Sequence, residues 1–307
     1  GICNFLRESR FFIVCQTISH RFVGMTHSLL KPLASFCAAL FIGVFASGLL
    51  SPARAADRAE VTAFLVVTGF DVALDSIALS AESAPEMLGL EAGDFGQEWT
   101  RLAARVFDTD RMRALAPDIL VETLDDAALD HAAAFYASDL GQRLVAAENA
   151  AHMVEDDETK QIAGQRIIAD LVQDGADRLA LLQRMTKAVD AADTGVKAIQ
   201  QIQFRFLMAA SAAGVIDLQL DADGLRAWQQ EQAPGMRMAL RASSMASSAY
   251  AYQDFSDEEV RSYVRALETP LMQEVYELLN AVQYEITANR FEALAYQMKG
   301  LGQGEDI

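Results

Sequence analysis

Leu124-Asp-Asp-Ala-Ala-Leu-Asp-His-Ala-Ala-Ala-Phe135-Tyr136-Ala-Ser138-Asp139-Leu140-Gly141-Gln142-Arg-Leu144 sets the reading of this chain. It opens on a capping signal, Thr123 with Asp126. Leu129, Tyr136, Leu140 and Leu144 then follow at spacings of seven and four, which puts them on one face of a helix. Ser138 interrupts the run, and a hydroxyl side chain there can cap a new helical turn. The stretch therefore predicts a helix, a tight corner and a second helix. Gly141 would let that corner pack closely against a neighbour.

A similar stretch lies 131 residues further on, from Phe255 to Val275. It opens on its own capping signal, Ser256 with Glu259. Its apolar residues match at 124/255, 129/260, 136/267, 140/271 and 144/275, while Ser138 matches Thr269 and Gln142 matches Gln273. Pro270 stands where Asp139 stands in the first copy, and proline is tolerated at the first position of a helix. The shared cap, hydroxyl, Leu and Gln favour duplication over the chance likeness of two amphipathic helices.

Helical spacing continues outside the pair. Val61, Phe64, Leu65 and Val72 are expected on one face of a helix starting near Asp57. Asp94 is placed to cap a helix carrying Phe95, Trp99, Leu102 and Val106. Breaks are expected at Pro85, Gly89 to Gly93, Pro117, Gly175, Gly214, Pro234-Gly235 and Pro270. No segment alternates as a half-buried strand would. The fold class read from this pattern is all-α, a multi-helix bundle built from two related helical units. The first spans 56–154. The second spans 155–300 and includes long connecting helices around 155–200. Residues 301–307 are expected to form a loose tail.

Phe135-Tyr136-Ala-Ser138-Asp139-Leu-Gly141, after its acidic helix start, resembles the Phe-Tyr-x-Ser-Pro-x-Gly segment of bacterial domain of unknown function 2059. The likeness is clearest over about 124–150 and weaker over 255–300. Asp139 departs from the family's Pro; the second stretch keeps Pro270 but lacks the Phe-Tyr and the Gly. The resemblance implies an exported, mostly helical protein of Gram-negative bacteria, and it carries over no catalytic residue.

The first 55 residues read differently from the rest. Met25 to Lys31 is a short basic region, Pro32 to Leu50 an uncharged apolar run, and Ser51-Pro-Ala-Arg-Ala55 a small-x-small site of the kind signal peptidase cuts. Residues 25–55 are therefore read as a signal peptide cut near Ala55, with residues 1–24 an upstream over-translation. The apolar run is close to the ~20 residues an uncleaved anchor needs, but the helix-breaking Pro52 and the Ala-Arg-Ala favour cleavage. The expected location is the periplasm, with no stable membrane anchor after cleavage.

Cys3, Cys15 and Cys37 all lie before the cut, so the mature part has no thiol for disulfides or thiolate chemistry. The first 55 residues hold five of the 25 Lys/Arg and one of the 43 Asp/Glu, leaving 20 basic against 42 acidic side chains, a net charge of −22. Such a surface repels phosphate backbones, which argues against a nucleic-acid partner.

Chemistry-bearing residues are sparse. Glu148 and His152 are one turn apart, with Glu155 three residues on, and they form a weak candidate metal set; a solvated acidic helix end is favoured over it. His131 follows Asp130 in a cap-proximal turn and is expected to be exposed. No Gly-x-Ser-x-Gly elbow, Ser-x-x-Lys pair or Gly-rich phosphate loop occurs. No catalytic residue, cofactor or metal is assigned. Met236, Met238, Met245, Tyr250 and Tyr252, with Phe204, Phe206, Leu207 and Met208, would suit a groove for an apolar ligand or an envelope protein partner. Filling the core is the favoured reading of them. The function read from sequence is a non-catalytic binding or interaction module of the envelope, with an apolar-ligand carrier or a hydrolase lacking any recognisable motif as alternatives.

Overall fold

The computed structural model describes residues 57–90, 96–189, 192–299 and 301, and among these every regular element is helical. The leader 1–55 with its three cysteines, the capping position Asp94 and the tail from Gly302 lie outside the described residues. The helices are α1 (Arg58–Val67), α2 (Phe70–Ser76), a 3-10 segment (Ile77–Ser83), α3 (Ala84–Met87), α4 (Gly96–Val106), α5 (Thr109–Leu120), α6 (Asp126–Tyr136), α7 (Asp139–His152), α8 (Asp157–Gln173), α9 (Arg178–Ala188), α10 (Asp193–Ala212), α11 (Ala222–Ala251), α12 (Asp257–Leu267) and α13 (Pro270–Met298).

The spine is α13. It starts at Pro270, whose missing N–H costs nothing in the first turn. Met272, Val275, Leu279, Val282, Ile286, Phe291, Leu294 and Met298 are all buried along its length. Helices α10, α6, α5 and α4 pack around it. Phe291 meets Phe107 and Phe206 edge-on, at centroid separations of 5.2 and 5.3 Å. Each such aromatic contact adds about 0.5–1.5 kcal/mol beyond its buried area. One apolar core runs from Val61 to Met298.

Helices α8 and α11 form the second tight pair. Their contact is backbone on backbone, because Gly164 has no Cβ. A Cβ built there would lie 2.1 Å from the Ala246 carbonyl oxygen. Gln161, one turn away, donates to the hydroxyls of Ser243 and Ser247 at 3.1 and 2.8 Å. Beside it, Lys160 and Asp157 form an ion pair that is almost wholly withdrawn from solvent.

The two paired stretches fold as helix, corner and helix. Their helices start, stop and resume at 126, 136 and 139, and again at 257, 267 and 270. Ser138 caps α7, accepting from the Gly141 N–H at 3.1 Å. A Cβ on Gly141 would lie 2.3 Å from the Phe135 carbonyl oxygen, so the neighbour it packs against is the end of the preceding helix. Ser256 and Glu259 close a full capping box on α12. Thr269 makes no side-chain cap for α13. Its hydroxyl donates to the Ala266 carbonyl and meets His131 Nε2 at 2.9 Å. His131 is accordingly half-buried and joins the middle of α6 to the Thr269 corner, where exposure was expected.

Other local expectations need correction. Thr123 is not the cap of α6; its hydroxyl turns back to the Ile119 carbonyl, and Asp125 accepts from the Ala128 N–H at 2.7 Å. Val72 does not continue α1, because the chain turns at Gly69, with φ of 70°, and Val72 belongs to α2. Pro117 and Pro234 do not break the chain but sit inside α5 and α11. Each proline forfeits one bond to the carbonyl four residues earlier, on Arg113 and Gln230; both residues are exposed, so water can take the place of the lost donor.

Two glycine substitutions should move stability in opposite directions. Gly164→Ala forces α8 and α11 apart and should cost about 1–3 kcal/mol, as overpacking does. Gly235→Ala meets open space within a helix and should gain up to about 1 kcal/mol. Urea unfolding of the two variants beside the parent checks both.

Candidate functional site

Five tyrosines converge where α6, α7, α11, α12 and α13 meet. Helical spacing explains how they arrive. Tyr136 is the last residue of α6 and Tyr252 follows the last turn of α11. Tyr263 lies mid-way along the buried face of α12, while Tyr276 and Tyr284 point inward from the first half of α13. Phe135 supports the cluster by stacking on Tyr263, with centroids 5.7 Å apart.

Four of the phenols form a hydrogen-bonded chain that ends on Glu148. Tyr252 and Tyr263 both donate to Glu148 Oε1, at 2.6 and 2.8 Å. Tyr263 has then used its one proton, so its oxygen is available to accept from Tyr276, 2.9 Å away. Tyr276 in turn can accept from Tyr136 at 2.6 Å. Taken along the shortest contacts, every proton points toward the carboxylate. Chains of this polarity strengthen one another in a low-dielectric interior. Burial raises the pKa of all four phenols, with the Glu148 charge adding to it, so they stay protonated donors. Burial also raises the Glu148 carboxyl, and the bonds from Tyr252 and Tyr263 offset part of that rise.

The cluster walls a cavity of about 250 Å³. Its remaining lining is mixed. Phe70, Leu240 and Met185 give apolar surface; Asn149, Ser244 and Ser248 are among its polar groups. Gly69 makes the approach of α2 possible, since a Cβ there would lie 2.4 Å from Asn149 Oδ1. Glu148 uses only Oε1 in the phenol chain, which leaves Oε2 without a hydrogen-bond partner among the described residues. His152, one turn on, also lines the cavity, and its pKa is pushed down to about 3, mainly by burial. It is a neutral imidazole at ordinary pH. Among the described residues no Lys or Arg lines the cavity.

Sequence and structure agree on some of these residues and part on others. Glu148 and His152 do share a face, but it faces the cavity and not solvent. Glu155 sits in the exposed corner between α7 and α8 and does not join them. Among the described residues, no group of three His, Cys, Asp or Glu side chains is arranged to hold a metal ion. Of the Met and aromatic set, only Tyr252 lines the cavity. Phe206 is core, Met238 is 70% exposed, and Phe204 lies under the Arg226 guanidinium. Tyr263 and Tyr276 carried no sequence signal beyond their place in amphipathic helices.

The stretch supplying Tyr136, Glu148 and His152 is also the one that comparison with known proteins picks out. Residues 110–170 match DUF2059, described as an uncharacterized protein conserved in bacteria. The DUF2059 match spans α6, α7 and most of α8, so it contains the Tyr136 corner and the helix bearing Glu148. It is consistent with membership of that family. No curated protein and no solved structure matches the chain.

The neutral His152 leaves a pH signature. Its folded pKa lies below its ordinary 6.5, so its contribution is complete above that value and is lost as pH falls through the lower one. Between about pH 7 and pH 5 this should remove about 2 kcal/mol. His152→Gln should lose less stability than the parent over that interval, measured by urea unfolding at each pH.

Proposed function

We propose that this chain is an exported, non-catalytic binding protein of a bacterial envelope, taking a small ligand into the cavity around Glu148. The observation that carries this reading is the cavity itself: about 250 Å³, with aromatic walls and a carboxylate oxygen left unpartnered among the described residues. Pockets with mostly apolar walls and a few placed polar groups are the usual form of a small-molecule site. An apolar cavity of about 150 Å³ holds benzene, so the space here suits a molecule somewhat larger.

Support for export comes from the sequence over 25–55, with its basic start, apolar run and Ala-Arg-Ala cut. Support for a non-catalytic role is the want of any nucleophile elbow, Ser-x-x-Lys pair or phosphate loop in the sequence. We further propose that α6–α7 and the start of α12–α13 descend from one duplicated unit. The matched helix boundaries and the hydroxyls of Ser138 and Thr269, each donating to the carbonyl three residues earlier, favour it. On this reading the cavity formed where the copies face each other, with Tyr136 from one and Tyr263 and Tyr276 from the other.

Native mass spectrometry of the protein released from the periplasm tests the reading. The expected mass begins at Ala56 and carries a small adduct, which Ser248→Trp should remove by filling the cavity without unfolding the chain. A protein retained in the cytosol with its leader would overturn export. An adduct that survives Ser248→Trp would overturn the cavity as the site.

A further inference from the structure

Resting on the reading of the cavity as a binding site, we propose that its ligand is a small organic cation, an amine or ammonium compound whose charge is met by Glu148 between tyrosine walls. Three observations select this class.

The first is the charge of the lining. Glu148 is a carboxyl group on the wall, and among the described residues no Lys or Arg lines the cavity to neutralise it or to receive an anion. Lys160 on α8 is tied to Asp157 in its own buried pair. An anionic ligand would face repulsion with no counter-charge.

The second is the inventory of unpartnered atoms. Glu148 Oε1 accepts two phenol protons, whereas Oε2 accepts none among the described residues. His152 is neutral and offers a ring nitrogen lone pair one turn away. Those two acceptors suit a ligand that brings N–H donors. With the phenol protons assigned toward the carboxylate, the tyrosine chain stabilises a negative charge on Glu148, and its own hydroxyls have no spare proton for a ligand oxygen.

The third is the wall itself. Tyrosine rings carry a negative face, which attracts a cation placed over it. The titratable groups around Glu148 are Tyr136 on α6, His152 on α7, Tyr252 after α11, Tyr263 on α12 and Tyr276 on α13. None of them is a cation at neutral pH. Among the described residues a bound ammonium would be the only positive charge lining the cavity, and it would complete a carboxylate that burial otherwise leaves partly uncompensated.

Three probes of nearly equal size and different charge test this: benzylammonium, benzyl alcohol and benzoate, titrated by calorimetry into the whole folded protein at about pH 7.5, where the first is a cation and the last an anion. Benzylammonium should bind at least tenfold more tightly than benzyl alcohol, and benzoate should not bind. Glu148→Gln keeps an acceptor for Tyr252 and Tyr263 but not the charge; it should abolish the preference for benzylammonium over benzyl alcohol. Equal affinity for amine and alcohol, both lost in Ser248→Trp, would overturn the cation and leave the binding cavity standing. Failure of all three probes to bind would overturn both. An unchanged preference in Glu148→Gln would place the amine elsewhere on this acidic surface and overturn the assignment.

Discussion

A carboxylate taken out of water must be met by donors or give up its charge, and the centre of this molecule is arranged around that constraint. Glu148 projects from α7 into a space that five helices enclose, and phenols from α12 and the end of α11 bind its inner oxygen. Further phenols from α13 and α6 back those up. Removing one partner would strand a buried polar group, at about 1–3 kcal/mol, more where the group is charged. The helices are thus tied by chemistry as well as by apolar packing. Tyr136 and Tyr263 must stand close enough to share this network, which requires α6 to lie against the α12–α13 corner at Thr269. The His131 to Thr269 contact holds them there.

The overall class was legible because helical spacing is strong along the whole chain and because caps are local. Ser256 and Glu259 are read three residues apart and close as read. Ser138 and Gly141 likewise announce a corner whose geometry depends on their own neighbours. The prolines misled for the opposite reason. Whether Pro117 or Pro234 ends a helix depends on whether the freed carbonyl can find water, which depends on tertiary exposure. Thr123 misled because Asp125, two residues on, offers a better-placed acceptor.

The site was legible only in pieces. Glu148 and His152 attracted notice as acid and imidazole one turn apart, Tyr136 as part of a motif, and Tyr252 as one of a Met and aromatic group. Nothing local joins these observations. Tyr263 lies 115 residues from its partner Glu148, and Tyr276 lies 140 from Tyr136. A phenol inside an amphipathic helix looks the same in sequence whether its hydroxyl reaches solvent or a buried carboxylate. The distinction comes from packing between distant helices, and so does the change of role for Glu148 from a metal candidate to the end of a phenol chain.

The meeting of Gly164 with Ala246 restricts how the cavity wall can move. Where backbone rests on backbone with no side chain between, neither helix can slip along the other without lifting over a peptide group. The contact acts as a pivot pin. The part of α11 that carries Ser244, Ser248 and Tyr252 to the cavity lies directly beside that pin. Any opening of this wall is therefore a swing about a fixed point and not a slide.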